Sequence, residues 1–529
     1  MALLTPLQEG IKLLHEGDTD GARRTLSSIW EDGGSDAGQA ARFIAHIEKA
    51  ERRYSDAIFI LESSLEKLGD DAATLAQLSE LYMTMGNHHK AIEAATRSLN
   101  EVPDNAVTAL NRAIWQSNYE DRPSEIKKAF EQWSSRYLQL PSSGSPLRSA
   151  TQTDKASVRP LRVGYVSGDF GNHPVRYFIE PYLRLHDCSQ FEIHAFMTSE
   201  EDEVSQFLKE WVPHWHNVKA LDNSALLSFI RSLEIDILVD LSGHTEASKL
   251  EVFAARAAPV QVTWWGFVHT LGIKEIDYRL SDFETCPPGA ERHYTEALCR
   301  MECLTAYTPP VNCDTQYPSP WRRNRYVTMI SLNHTRKLSE AALDCWCEVL
   351  LQNPNSGLIV VTAEGNEADT HNYFTPRLVE RGFPMDRVSA VPRLSMLEYM
   401  NVASVADFAL DSFPVSGGVT TLHSLWMGLP VLTLTPKSTI AMQTYSGNTL
   451  RLVGLDECVT SSNQELISRA TQWIQHPALI DQLRERTRPS LVSSPFMNLE
   501  ARVRELEACF REMWRRFLHN EPVTDLSVR

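Results

Sequence analysis

The chain has 529 residues, 43% of them hydrophobic, and a formal net charge of −17, which leaves room for about three domains. That charge argues against non-specific binding to nucleic acid or an anionic membrane, and no apolar run approaches a membrane span. Nine cysteines without a repeated CxxC or a Cys/His cluster read as reduced thiols, and the opening MALLTPLQEGIKLLHEGD lacks the basic n-region of a signal peptide, so a cytoplasmic location is expected.

Residues 1–140 are rich in helix formers and repeat themselves. Ala57-Ile58 recurs as Ala91-Ile92, Leu65 as Leu99, and Asp70-Asp71 as Asp104-Asn105, each 34 residues on. That is the period of a tetratricopeptide helix pair. Leu81-Tyr82, Gly86, Ala91 and Pro103 stand where the motif wants packing, a tight turn, a small residue and a terminator. A weaker copy surrounds Gly21-Ala22 and Leu26, and Asn105 to Tyr137 reads as a capping pair. Such an array is either purely structural or a concave surface for a partner protein. His88-His89 and Asp18-Thr19-Asp20 fall in turns between helices and are not read as metal ligands. Residues 141–160, polar and carrying three prolines, read as a linker.

The texture then changes to alternating strands and helices. Over 161–320 the expected strands are Leu161–Ser167, Phe191–Met197, Asp236–Leu241, Val260–Trp264, Tyr278–Leu280 and Cys303–Tyr307. Helices are expected over Val175–Leu185, Ser224–Leu233 and Lys249–Ala257. The loops bearing His173, His244 and Thr270 all follow strand C-termini and should gather on one rim. A second α/β unit, 321–529, starts with the strand Tyr326–Leu332 and runs into Asn333-His334-Thr335-Arg336-Lys337. The helices Ser339–Leu351 and His371–Arg381 alternate with the strands Leu358–Thr362 and Val388–Ala390, and a short helix, Met396–Ser404, follows. An amphipathic helix, Glu500 to Phe517, is expected to close this second lobe.

Its central stretch is ADFALDSFPVSGGVTTLHSLWMGLPVLTL, 406–434. Phe408-Ala409-Leu410 reads as a buried strand stopped by Asp411, Ser412, Pro414 and Gly417-Gly418; Val419, Thr420 and Thr421 open a helix, and Val431 to Leu434 is the next strand. A strand, glycine loop and helix start present backbone N–H groups and two hydroxyls to an anion such as a phosphate. The same stretch also fits a plain βα turn capped by threonine.

Six blocks stand in order: VGYVSGDFGNHP (163–174), ILVDLSGHT (237–245), APVQVTWWGF (258–267), IDYRLSD (276–282), SLNHTRKLSE (331–340) and the glycine-loop stretch. Together with the repeats they resemble the O-GlcNAc transferase family. The resemblance implies an α/β GT-B fold of two Rossmann-like lobes, acceptor side first and nucleotide-sugar side second, preceded by an all-α tetratricopeptide-like domain. It implies an inverting, metal-independent transfer of GlcNAc or a related hexose from a UDP-sugar to Ser/Thr hydroxyls. The acceptor is a protein held by the repeats and the cleft, flagellin or another surface protein if the source is a bacterium. No cofactor beyond the UDP-sugar co-substrate is expected.

By the same resemblance Lys337 contacts the diphosphate, and Gly418, Val419, Thr420 and Thr421 form the phosphate loop. His173 faces the reaction centre, where a histidine suits a general base near neutral pH. His244 and Thr270 line the same cleft, and His334 touches the nucleotide. Three departures stand out: His423 occupies the place of an acidic ribose ligand, Tyr399 that of a base-stacking histidine, and Val268-His269-Thr270 replaces a PGT turn. An Asn-directed glucosyltransferase, or a repeat scaffold whose catalytic half has decayed, are the competing readings.

Overall fold

The computed structural model describes residues 4–141, 159–310, 317–362 and 364–527. Most of the expected linker, 142–158, lies outside the described residues.

The front of the chain folds into helices α1 (Pro6–His15), α2 (Thr19–Asp32), α3 (Ala37–Ala50), α4 (Tyr54–Leu68), α5 (Ala72–Thr84), α6 (His88–Glu101), α7 (Ala106–Tyr119) and α8 (Pro123–Tyr137). Asp18, Asp71, Asn87 and Asn105 each accept a backbone N–H three residues on, at the starts of α2, α5, α6 and α7. These side chains take up donors that a helix start leaves unpaired. The repeated alanines do what the period requires: Ala57 in α4 and Ala91 in α6 are fully buried beside Leu61, Leu75 and Leu78.

The next strands are β1 (Leu161–Ser167), β2 (Phe191–Met197), β3 (His214–Asn217), β4 (Ile237–Asp240), β5 (Val260–Thr263), β6 (Tyr278–Asp282) and β7 (Ala297–Met301). The second unit contributes β8 (Val327–Ser331), β9 (Ser356–Thr362), β10 (Val388–Pro392), β11 (Phe408–Leu410), β12 (Val431–Leu434) and β13 (Val459–Thr460), and β14 (Leu526–Ser527) ends the chain. They form two parallel sheets, ordered β14-β7-β6-β5-β4-β1-β2-β3 and β10-β9-β8-β11-β12-β13. In each, the order reverses beside the first strand of the unit, where a doubly wound sheet opens a crevice. The near-continuous apolar runs of β4 and β8 match burial on both faces.

Two expectations change. Cys303–Tyr307 is buried but is not a strand. Its neighbours take its amides individually: Ala306 N–H donates to the Tyr182 hydroxyl (3.1 Å) and Tyr307 N–H to the Phe496 carbonyl (2.9 Å). The last helix, Leu499–Leu518, packs on the first lobe rather than closing the second. Its stripe of Val503, Leu506, Phe510 and Met513 fills the core beneath β1, β4 and β5, and Glu507 lies 3.1 Å from His186 Nδ1.

The helical domain docks on both lobes. Against the first, Gly272 meets the backbone of α8 so closely that a Cβ there would stand 2.4 Å from Phe130 C. Against the second, Arg377 donates to the carbonyls of Met85 (2.7 Å) and Gly86 (3.1 Å), and Asp369 accepts from Tyr54 and Ser55 N–H at the start of α4.

Candidate active site

The second lobe supplies a pair of loops built around Asp411, at the end of β11. Its carboxylate accepts from Gly417 N–H (2.9 Å), Asn333 Nδ2 (2.8 Å) and the Thr433 hydroxyl (2.7 Å). Asn333 in turn accepts from the Thr420 hydroxyl (2.9 Å), which ties the end of β8 to the helix Val419–Trp426. Thr421 is buried and paired with Ser446 (2.7 Å). Gly418 sits at the cap of that helix, so its first amides face outward as an anion site.

Lys337 ends a single 3₁₀ turn, Thr335–Lys337. Its ammonium donates to the Ser416 carbonyl at 2.7 Å. Among the described residues that is its one hydrogen-bond acceptor, which leaves two donors for a ligand. Burial pushes its pKa down to about 8, with Asp411 opposing. An ammonium this poorly solvated gains most from a bound anion.

Lys337 and 416–419 line one cavity of ≈ 670 Å³ together with Trp265, Arg279 and Ser281 of the first lobe and Tyr445 of the second. The Trp265 indole N–H is buried and has no partner among the described residues. A ligand acceptor in the cavity would satisfy it. Arg279 donates to the His269 carbonyl at 2.7 Å, so its charge is held at the cavity wall.

His173 stands at the end of the β1 loop, about half exposed, with Nδ1 3.7 Å from Asp169 and accepting from Val175 N–H at 3.4 Å. Burial holds its pKa below the ordinary value while Asp169 opposes, and the charge of Arg336 and of His334, both on the second lobe, lowers it further. His173 is near enough to feel Arg336 and His334 of the lysine turn but does not line the cavity, and a neutral imidazole there can take a proton. His334 is anchored by Glu364, with Nδ1 2.6 Å from Oε1; the other oxygen of Glu364 accepts Thr335 N–H at 2.6 Å.

Of the expected residues, Lys337, Gly418 and Val419 line the cavity; His334, Thr420 and Thr421 do not, and four more pack elsewhere. His244 is 6% exposed; Nε2 donates to the Leu271 carbonyl (2.9 Å) and its ring packs against Phe130 and Trp133 of α8. Thr270 is buried and donates to Glu296 at 2.7 Å. Both loops follow strand ends as expected, but α8 covers them. His423 is 3% exposed, with Nδ1 2.6 Å from the Tyr307 hydroxyl, and burial pushes its pKa down to about 3. It meets Tyr399 and Tyr177 edge-on, and the Tyr399 hydroxyl is buried without a partner among the described residues.

The residues that sequence reasoning missed are the organisers: Asp411, Asn333, Glu364 and Ser416, with Trp265 and Arg279 on the facing lobe. Asp411, read as a strand stopper, carried the signal of an acidic residue at a strand end beside a glycine loop.

A sequence model of glycosyl transferase family 41 matches residues 145–307 and 310–506. The chain belongs to glycosyltransferase family 41. It is 31% identical over 435 residues to a probable UDP-N-acetylglucosamine–peptide N-acetylglucosaminyltransferase SPINDLY of Oryza sativa, covering 80% of this chain and 46% of that one. The Arabidopsis thaliana SPINDLY protein is 30% identical over 428 residues, with 79% and 46% covered. The chain thus spans about half the length of these curated relatives. A lysine-to-methionine mutant of the Thermobaculum terrenum O-GlcNAc transferase superposes with a TM-score of 0.83 at 26% identity, covering 97% of this chain and 98% of that one. The GT-B fold with a tetratricopeptide-like front is the architecture of this family 41 chain.

Proposed function

We propose that this family 41 chain is an inverting protein O-GlcNAc transferase that moves GlcNAc from UDP-GlcNAc to Ser or Thr hydroxyls of an acceptor protein. One observation carries the reading: Lys337 and the glycine loop share a cavity with an aromatic wall from the facing lobe. The acceptor oxygen bonds to the sugar C1 as the bond from C1 to the β-phosphate breaks. The departing UDP takes the electron pair, and Lys337 with the amides of 418–420 bears the growing charge, a contribution of about 3–4 kcal/mol for one such donor. His173 accepts the hydroxyl proton. Lys337 and the helix start carry the phosphate charge, a reading in which no metal is required. The names of the relatives favour O-linked GlcNAc over the Asn-directed alternative, and the intact Lys337 and His173 constellation disfavours a decayed scaffold.

The test is incubation of the enzyme with UDP-GlcNAc and candidate acceptor proteins, read by intact mass, with the modified residue mapped by fragmentation. Transfer to Ser or Thr is expected. A well-folded sample that binds no UDP and transfers no sugar removes the reading, and transfer to Asn replaces it with the alternative.

A further inference from the structure

The edge of the first sheet carries a cluster that the transfer chemistry does not use. β2 reads Phe-Glu-Ile-His-Ala-Phe-Met and β3 reads His-Trp-His-Asn. They pair in parallel, with His194 opposite His214 and Phe196 opposite His216. Side chains alternate between faces along a strand, so Glu192, His194, His214 and His216 project from the same face of this two-strand edge.

Glu192, His194 and His214 each place one ligand-capable atom within 4.8 Å of the others. His194 Nε2 lies 3.0 Å from Glu192 Oε1, and the rings of His194 and His214 run parallel with centroids 4.5 Å apart. His194 is buried, Glu192 half-buried and His214 exposed, so the cluster has a fixed floor and an open mouth. The second nitrogen of His194, Nδ1, stands 3.1 Å from His216 Nε2. That is the arrangement in which a ligating histidine is oriented through its other ring nitrogen. His216 is itself wedged between Phe196 and Phe229, with centroids 5.0 and 5.2 Å away. Arg162 Nε lies 3.0 Å from the same Glu192 Oε1 and its Nη1 3.2 Å from Glu234, which holds the carboxylate in place.

We propose that Glu192, His194 and His214 bind a borderline divalent cation of the zinc class, with His216 orienting His194. Two imidazoles and a carboxylate are a common three-ligand set for zinc, with water completing a tetrahedron. Ligand bonds of about 2.0–2.2 Å put neighbouring ligand atoms about 3.3–3.5 Å apart, a contraction that the exposed His214 side chain can supply by rotation. The ion would tie β3, the terminal strand, to β2 and shield an open sheet edge. None of these residues lines the cleft cavity, so the site is structural rather than part of the sugar transfer.

The full chain, stripped with a chelator, is titrated with Zn²⁺ against a chromogenic chelator, and a zinc-soaked crystal is measured at the zinc absorption edge. The parent is expected to bind one equivalent, with an anomalous peak between Glu192, His194 and His214. His214→Ala, an exposed change that leaves the fold intact, and Glu192→Gln should each weaken binding at least tenfold, and His216→Phe about 10–100-fold. No binding by the parent overturns the proposal. So does a peak elsewhere, or variants that hold zinc as tightly as the parent.

Discussion

The loops after β8 and β11 and the loops after β4 and β5 begin alike, as polar turns at the carboxyl ends of parallel strands, and they end differently. In the second lobe, Asn333 and Gly417 both donate to the Asp411 carboxylate and leave Lys337 facing an open cavity. In the first lobe, His244 and Thr270 are buried by Phe130 and Trp133 or paired with Glu296. The strand-end rule places loops on a rim. Whether the rim becomes a cleft or an interface depends on what packs over it. Here α8 seals one stretch and leaves the other open. The same domain also reaches the open stretch: the Arg336 carbonyl, one residue before Lys337, accepts from His88 Nε2 (2.6 Å) and the Tyr119 hydroxyl (2.7 Å). Gly86 is held there at φ 75°, where a Cβ would stand 2.5 Å from the Thr335 carbonyl. The helical repeats thus brace the lysine turn from behind.

The contrast can be broken most sharply at His173, a first-lobe loop residue that stays about half exposed. His173→Ala should lower kcat by about 10²–10⁴-fold while UDP affinity by calorimetry stays near the parent value; a large loss of UDP binding would move this residue to the nucleotide. Lys337→Ala should cost about 10²–10³-fold in kcat and abolish the calorimetric signal for UDP. A smaller effect tests the brace. The pair His88→Ala and Tyr119→Phe removes two hydrogen bonds of about 1 kcal/mol each, and should lower kcat/KM about tenfold or more with circular dichroism unchanged. Rates equal to the parent would show that the turn holds itself.

The pH profile follows from the two groups. His173 has its pKa below 6.5, so the proton-accepting form is lost, and kcat/KM falls, only as pH drops below that value. Lys337 in the free enzyme titrates near 8, so its charge disappears, and kcat/KM falls again, as pH rises through about 8. A profile still rising above pH 9 would contradict the lysine assignment. The smallest effect belongs to the sealed side: His244→Phe should leave kcat close to that of the parent, since the ring contacts α8 and not the cavity. A loss as large as that of His173→Ala would put His244 back among the catalytic residues.

Much of this architecture was legible residue by residue. The 34-residue recurrence of Ala57 at Ala91 encodes a helix–helix contact that repeats, because small residues at close crossings are needed at a fixed helical phase. The buried runs of β1, β4, β8 and β11 needed only hydrophobic period to be found. Lys337 was visible through the family resemblance of the block SLNHTRKLSE, whereas the glycine loop taken alone fitted a plain βα turn as well. The four-residue β3 and the two-residue β13 and β14 are too short to show a period and were missed, and β7 was missed in favour of the apolar run Cys303–Tyr307 just after it.

The sequence by itself determined the helical period, the alternation of the longer strands and helices, and the glycine loop, since each is written in residues that are neighbours along the chain. Only the tertiary structure decided that His244 and Thr270 lie under α8, that His423 is spent on Tyr307, and that the last helix returns to the first lobe. Those outcomes rest on pairs of surfaces more than a hundred residues apart, or on a hydrogen bond to whichever partner packing delivers. Local periodicity fixes which way a side chain points and leaves open what it meets there.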